Sequence, residues 1–181
     1  MIFLEYMSIF VQKKNHPLIS REKEFAKLIS DNQGLIIKIS RLYTNTLEDE
    51  EDLVQEIVLQ LWRSYDSFKG ESKISTWMYR VALNTAITLF RKKTKSPQTD
   101  ELLDFHHKDF EEENQEKQQQ ISLLYKVVKM LPKVERAIVM MYLDDLPYRE
   151  IAGNLGISEV NARVKMNRLK KKLKELMEKH A

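Results

Sequence analysis

Apolar residues recur every three or four positions along most of this chain, which is the spacing of an amphipathic helix. In the first half of the chain this pattern predicts three helices, over residues 21–45, 49–66 and 75–93. The second of these shows the pattern most clearly, because Leu53, Ile57 and Leu61 are each four residues apart. Ser75 or Thr76 can cap the third helix with its hydroxyl oxygen.

The second half shows the same spacing and predicts helices over residues 121–131, 134–143, 148–155 and 158–178. Pro132 ends the first of these, and Pro147 stands at the start of the third, where proline is tolerated. Gly156 allows a sharp turn before the last helix, and Ser158 can serve as its N-cap. No stretch alternates apolar and polar residues as a half-buried strand does. The predicted fold class is therefore all-α.

Pattern and composition divide the chain into an N-terminal extension, a helical domain, a linker and a second helical domain, over residues 1–20, 21–95, 96–120 and 121–181. The linker has eight acidic residues against two lysines and almost no apolar periodicity, so we expect it to be flexible. The apolar extension is shorter than the roughly 20 residues that span a bilayer, and its lysine pair follows the apolar run, unlike a signal peptide. We expect a cytoplasmic protein without membrane insertion. Translation could start at Met1 or Met7.

Charge is segregated along the chain. The final segment has thirteen Lys or Arg residues against seven acids, although the net charge of the whole chain is only +3. A basic terminal domain is typical of a nucleic-acid-binding protein. The chain has no cysteine, which excludes disulfides and thiolate metal sites. His106 and His107 adjoin in the linker, but too few further ligands lie nearby for a metal site. We expect no metal, cofactor or small-molecule substrate.

Residues 148–173 have the pattern of a helix-turn-helix. Ala162, Met166 and Leu169 begin the buried stripe of its second helix, and the opposite face is basic and polar. In this motif that face enters the major groove of duplex DNA. The predicted duplex-binding residues are Ser158, Asn161, Arg163, Val164, Lys165 and Arg168. Arginine pairs with guanine and asparagine with adenine, whereas a valine can only touch a thymine methyl group.

Two stretches of the first domain, DLVQEIVLQLW at 52–62 and FKGESKISTWMYRVALN at 68–84, resemble region 2 of bacterial sigma factors. The stretch LPKVERAIVMMYLDDLPYREIAGNLGIS at 131–158 resembles region 4 of the same family. The order of these motifs and the acidic linker between them are similar to those of the extracytoplasmic-function group. The resemblance covers roughly residues 21–95 and 121–178 and implies two small helical domains.

The resemblance implies three binding surfaces. The helix with Asp52, Gln55 and Glu56 resembles the surface that binds core RNA polymerase. The loop at 68–75 and the helix after it resemble the element that reads the melted −10 promoter region. The residues implied there are Lys69, Gly70, Lys73, Trp77, Arg80, Asn84, Arg91 and Lys92. Trp77 is ambiguous, and the core is the favoured place for it, since large aromatic side chains are usually buried. Region 4 would read the −35 element as duplex, but VNARVK at 160–165 departs from the common recognition-helix pattern and leaves the −35 sequence open.

These features favour a non-enzymatic specificity subunit that brings core RNA polymerase to promoters, helps to melt the −10 region and is sequestered by an anti-sigma factor. The alternative is a stand-alone helix-turn-helix regulator, which binds duplex operator DNA without polymerase, usually as a dimer. A metal-dependent nuclease is disfavoured, because the only dense carboxylate cluster of the folded part, at 48–52, points in several directions around its helix. The sequence leaves open whether the two domains pack together; attraction between the acidic linker and the basic last helix would mask the DNA-binding surface.

Overall fold

A computed structural model describes residues 17–93 and 115–180, and the regular structure within these ranges is entirely helical. The N-terminal helices are α1 (Pro17–Asp31), α2 (Gln33–Tyr43), α3 (Leu47–Ser64) and α4 (Ile74–Lys93), with a 3₁₀ turn at Tyr65–Ser67. The C-terminal helices are α5 (Gln115–Lys129), α6 (Lys133–Leu143), α7 (Tyr148–Leu155) and α8 (Glu159–His180). The prediction of an all-α fold is confirmed. Most of the predicted extension and of the predicted linker lies outside the described residues.

The predicted first helix is two helices in the structure. The chain leaves the helical conformation at Asn32, whose backbone has φ −121° and ψ 15°. The side-chain amide of Asn32 donates a hydrogen bond to the carbonyl of Leu28 at 2.9 Å. Asparagine competes in this way with backbone hydrogen bonds, so it favours helix ends over helix interiors.

Five helices, α1, α3, α4, α5 and α6, begin one to six residues earlier than predicted. The amide of Trp77 donates to the carbonyl of Lys73, so α4 starts before Ser75 and Thr76, and the prediction that one of them caps it is wrong. Helix α5 starts at Gln115, inside the predicted linker, where glutamine, glutamate and lysine favour the helical conformation. Helix α3 is capped by Thr46, whose hydroxyl accepts a hydrogen bond from the amide of Asp49 at 3.0 Å.

One continuous set of buried residues joins both groups of helices. Among the N-terminal helices, α3 and α4 pack together through Leu53, Ile57, Leu61, Met78 and Ala82, all of which are at most 2% exposed. Among the C-terminal helices, α7 and α8 pack on α6 through a second set, Ile138, Met141, Ile151, Ala162 and Met166. Of the helices in the part of the chain that the structure describes, none combines the length and apolar character that crossing a membrane requires.

Candidate nucleic-acid interface

The helix-turn-helix is formed by α7, a tight turn and α8. Helix α7 ends at Gly156, which has φ 65° and ψ 33°. This left-handed conformation strains residues with a Cβ atom, so the turn favours glycine. The hydroxyl of Ser158 then accepts a hydrogen bond from the amide of Asn161 at 3.2 Å, as predicted for an N-cap. Ile151 of α7 and Ala162 of α8 are buried against each other's helices and fix the angle of the motif.

The predicted duplex-binding residues lie in the first part of α8, with Ser158 immediately before it. Ser158, Asn161, Val164 and Arg168 are exposed, and Lys165 is half-buried. Arg163 is exposed but held back towards α7, because its guanidinium lies 2.9 Å from the carboxylate of Glu159 and 4.8 Å from the centre of the Tyr148 ring.

Helix α8 has eight Lys or Arg residues against three Glu. Some of these cations have partners within the chain: Lys170 donates to the Tyr142 hydroxyl at 2.6 Å, and Lys172 lies 3.3 Å from the Glu135 carboxylate. Within the described residues, no ion pair is formed by Lys165, Arg168 or Lys171. These three cations surround the outer face of α8 and are available to phosphates, which position DNA without specifying its sequence.

A second candidate surface lies on α3. Asp52 and Gln55 are exposed, and Glu56, which is half-buried, accepts a hydrogen bond from the Gln60 amide at 2.7 Å. Leu59 stands one helical turn beyond Gln55 and is 40% exposed, on the side opposite the buried stripe of the helix. The surface therefore combines a polar rim with an apolar centre, a composition common in protein–protein interfaces.

The third candidate surface contains the loop before α4 and the helix itself. Gly70 has φ 72°, and nothing lies within 4 Å of where its Cβ would be, so the loop is open on this side. Lys69, Lys73 and Asn84 are exposed. Trp77 is half-buried, with its ring centre 5.3 Å from that of Phe68. Arg91 and Lys92 lie on the last turn of α4, where the structure describes the backbone only.

Helix α7 contacts this third surface at two points. The Arg80 guanidinium donates to the side-chain carbonyl of Asn154 at 3.3 Å, and another of its nitrogens would lie 3.9 Å from a Cβ at Gly153. The Thr76 hydroxyl donates to the carboxylate of Glu150. Both Thr76 and Arg80 lie on α4, so two consecutive turns of this helix face the first helix of the helix-turn-helix.

Asp144, which follows the last residue of α6, is the centre of the polar contacts between the two groups of helices. Its carboxylate accepts hydrogen bonds from the Lys38 ammonium of α2 and from the Tyr79 hydroxyl of α4. A carboxylate at the C-terminal end of a helix is disfavoured by the helix dipole, so its two partners on the N-terminal helices compensate for this position. Burial, and then the hydrogen bond to Asp144, raises the pKa of Tyr79 well above its usual value.

Further hydrogen bonds to backbone carbonyls surround this centre and join the end of α2 to α5 and α6. The Tyr43 hydroxyl donates to the carbonyl of Lys133 at 2.7 Å, and Arg136 donates to the carbonyl of Leu42 at 3.0 Å. Lys129 donates to the carbonyl of Thr44 at 2.9 Å, and burial lowers its pKa. The two groups of helices are thus joined by specific hydrogen bonds as well as by apolar packing.

Two family models match the chain. The model described as Sigma-70 region 2 matches residues 28–96, and the model described as Sigma-70, region 4 matches residues 121–173. The first range contains the candidate surfaces on α3 and α4, and the second contains the helix-turn-helix. A stand-alone regulator is not favoured, because it has no need of region 2.

Relatives of known name agree with these models. The extracytoplasmic-function RNA polymerase sigma factor SigG of Mycobacterium tuberculosis is 43% identical over 54 residues, which are 30% of this chain and only 15% of that relative's length. The RNA polymerase sigma factor SigZ of Bacillus subtilis is 29% identical over 128 residues, covering 71% of this chain and 72% of SigZ. The chain belongs to the extracytoplasmic-function group of the sigma-70 family. Residues 28–96 and 121–173 are called region 2 and region 4 below.

The sigma fold also appears among solved structures. The sigma factor RpoE of Bartonella quintana, in a complex with the anti-sigma factor NepR, has a TM-score of 0.68 to this chain at 16% identity. The superposition covers 86% of this chain and 98% of RpoE. At this identity the likeness shows a shared fold.

Sequence reasoning missed three groups that the structure brings to these surfaces. Leu59 falls off the buried stripe of α3, a signal that helical spacing alone could have given. Val160, which is 72% exposed on α8, could have been found in the same way. Asp144 could not have been found from helical spacing, because its partners Lys38 and Tyr79 are distant in the sequence and lie on other helices.

Proposed function

We propose that this sigma factor is a specificity subunit that binds core RNA polymerase, reads the −35 element as duplex through region 4 and helps to melt and hold the −10 region through region 2. The observation that carries this proposal is the order of the two regions in one chain, each with an exposed face of suitable chemistry. The chain itself would perform no chemical step, and it would work in the cytoplasm, where the polymerase lies.

Polymerase binding is assigned to the face of α3 with Asp52, Gln55, Leu59 and Glu56. Leu59 lies between the polar residues, where burial against a partner would exclude water from the centre of the contact. The carboxylates of Asp52 and Glu56 suit a basic partner surface and would steer its approach.

Binding of the −10 strand is assigned to the loop at Gly70 and to α4. Lys69 and Lys73 are placed to meet phosphates, and the exposed amide of Asn84 is able to pair with the edge of an unstacked base. The open side of the loop at Gly70 leaves room for a base taken out of the duplex. Trp77, packed on Phe68, supports the loop and offers an edge for stacking.

Reading both promoter elements at once requires region 2 and region 4 to separate. The two elements are named for positions about 25 base pairs apart, which is roughly 85 Å of B-DNA at 3.4 Å per base pair. Helix α8 itself is only about 33 Å long at 1.5 Å per residue. With Arg80 3.3 Å from Asn154, region 2 and region 4 lie too close together to span that distance. We therefore propose that the described arrangement is a closed form, which opens when polymerase binds.

The closed form differs from the masking considered from the sequence, which relied on the acidic linker. The element that contacts this surface is α7, through the buried Thr76 and the exposed Arg80 of α4. An anti-sigma partner, like the one bound to RpoE of Bartonella quintana, would act by favouring this form over the open one.

Co-purification with core RNA polymerase tests the proposal. Wild type is compared with an Asp52→Lys/Glu56→Lys variant and with a matched control, Glu24→Lys/Asp31→Lys, which makes the same change of charge on α1. We expect core polymerase to retain wild type and the control but not the α3 variant. If none of the three proteins binds core polymerase, the proposed function is wrong. If all three bind equally, the function stands but its assignment to α3 is wrong.

A further inference from the structure

Two valine side chains on α8 are exposed to solvent. Val160 is 72% exposed and Val164 is 42% exposed, although valine is one of the residues most often buried in proteins. They are one helical turn apart and lie on the side of α8 opposite its buried stripe of Ala162, Met166 and Leu169. Both belong to the first two turns of the helix, the part that reaches base edges in a helix-turn-helix.

The charged side chain between the two valines does not cover them. Arg163 pairs with Glu159 at 2.9 Å and its guanidinium lies 4.8 Å from the centre of the Tyr148 ring, so it extends towards α7. The same guanidinium balances the negative charge of Glu159 at the N-terminal end of α8. The outer face at the start of the helix is therefore apolar and close to neutral, with an isopropyl group on each turn.

Two cations follow Val160 and Val164 along α8. Arg168 and Lys171 continue the outer face of α8 one and two turns further on, and the described residues provide no ion pair for either of them. A face with apolar groups at its tip and unpaired cations behind them is complementary to duplex DNA, with phosphates outside and base edges inside the major groove. The apolar group on a base edge in that groove is the 5-methyl of thymine.

We propose that Val160 and Val164 each read a thymine methyl group, so that the duplex element bound by α8 has thymines at the base pairs facing them. This inference rests on the proposed function, because it needs region 4 to bind duplex DNA. It adds a source of sequence preference that uses no hydrogen bond. Burying one methyl against an apolar side chain changes affinity about fourfold.

The test removes single methyl groups from the DNA. Holoenzyme assembled from the full chain and core RNA polymerase selects promoter duplexes from a random library. Each thymine of a selected duplex is then replaced, one at a time, by uracil, which lacks only the 5-methyl group. With wild type we expect about fourfold weaker binding at a position facing each valine. Val160→Ala should abolish the sensitivity at one position, and Val164→Ala at the other.

A matched control separates methyl contacts from general weakening. Arg168→Ala should weaken binding to every duplex and leave the uracil sensitivity unchanged. Alanine favours the helix more than valine does, so neither valine variant should lose its fold. The inference is overturned if no position is sensitive to uracil, or if the valine variants keep the full sensitivity. Failure to assemble holoenzyme, or to select any duplex, would instead refute the proposed function.

Discussion

Replacing Asp144 with asparagine should open the closed form. The carboxylate accepts hydrogen bonds from Lys38 and Tyr79, both in region 2, whereas Asp144 itself lies in region 4. An asparagine keeps the shape and one acceptor, but it loses the charge and turns an amide donor towards one of its two former partners. The change therefore acts on the contact between the regions and leaves the core of each region intact.

The size of the effect follows from the surroundings of the carboxylate. The hydroxyl of Tyr79 is buried, and a hydrogen bond to a charged acceptor contributes about 1.5–3 kcal/mol. The side chains of Lys38 and Asp144 are 27% and 23% exposed, so their ion pair is screened and adds at most about 1 kcal/mol. Since asparagine retains one acceptor, we expect a net loss of about 1–3 kcal/mol, which lowers the ratio of closed to open form by about 5- to 150-fold.

The absence of cysteine makes the assay simple. Dyes attached at Lys23→Cys on α1 and Lys179→Cys on α8, two exposed positions on helices that continue into region 2 and region 4, report the distance between these helices by energy transfer. The apparent affinity for core RNA polymerase is a second readout, because it rises in proportion to the open fraction while that fraction is small. We expect Asp144→Asn to lower the energy transfer between the dyes, or to increase the apparent affinity for core RNA polymerase by about 5- to 150-fold.

The neighbouring residue provides the control. Asp145→Asn removes the same charge from an exposed position with φ 57°, a conformation that asparagine tolerates. If Asp144→Asn and Asp145→Asn behave alike in both readouts, Asp144 does not hold the regions together, and the closed form loses its main support.

Three further predictions concern the surfaces and the stability of the chain. Leu59→Ser should weaken core polymerase binding by about 10- to 100-fold, because the interface would lose the burial of a leucine side chain. Leu47→Ser, which changes an exposed leucine on another side of α3, should leave binding unchanged. Equal effects of the two changes would show that Leu59 is not in the interface. In chemical unfolding, Gly156→Ala should destabilise by about 1–2 kcal/mol because of its left-handed backbone. In contrast, Gly34→Ala, at the second position of α2 with open space around it, should stabilise by about 0.4–1 kcal/mol. Burial raises the pKa of Tyr79 above the ordinary 10.0, so the neutral hydroxyl stabilises the fold fully below pH 10, and this stabilisation is lost as the pH rises further. The free energy of unfolding, measured with guanidinium, should therefore be lower at pH 11 than at pH 8. In Tyr79→Phe the difference between the two pH values should be smaller.

Helical spacing was enough to predict the parts of this fold that depend on local order. Leu53, Ile57 and Leu61 of α3 are at most 2% exposed, as their spacing of four indicates. Helix α7 has the predicted bounds, because proline before it and glycine after it act on the backbone directly. Several boundaries differ from the prediction. At Asn32 a side-chain hydrogen bond accompanies the break, and at Gln115 a run of good helix formers extends α5, features that the apolar spacing does not show.

The sequence by itself determined that the chain is helical and which faces most of its helices bury. Its spacing could also have revealed two exposed groups, Leu59 and Val160. The tertiary structure alone decided that α7 contacts Thr76 and Arg80, and that Asp144 binds Lys38 and Tyr79. Helix formation and burial follow from residues three and four apart, which a sequence displays directly. The contact between region 2 and region 4 joins residues 65 to 106 positions apart, and such a contact depends on how preformed helices pack, which no local pattern specifies.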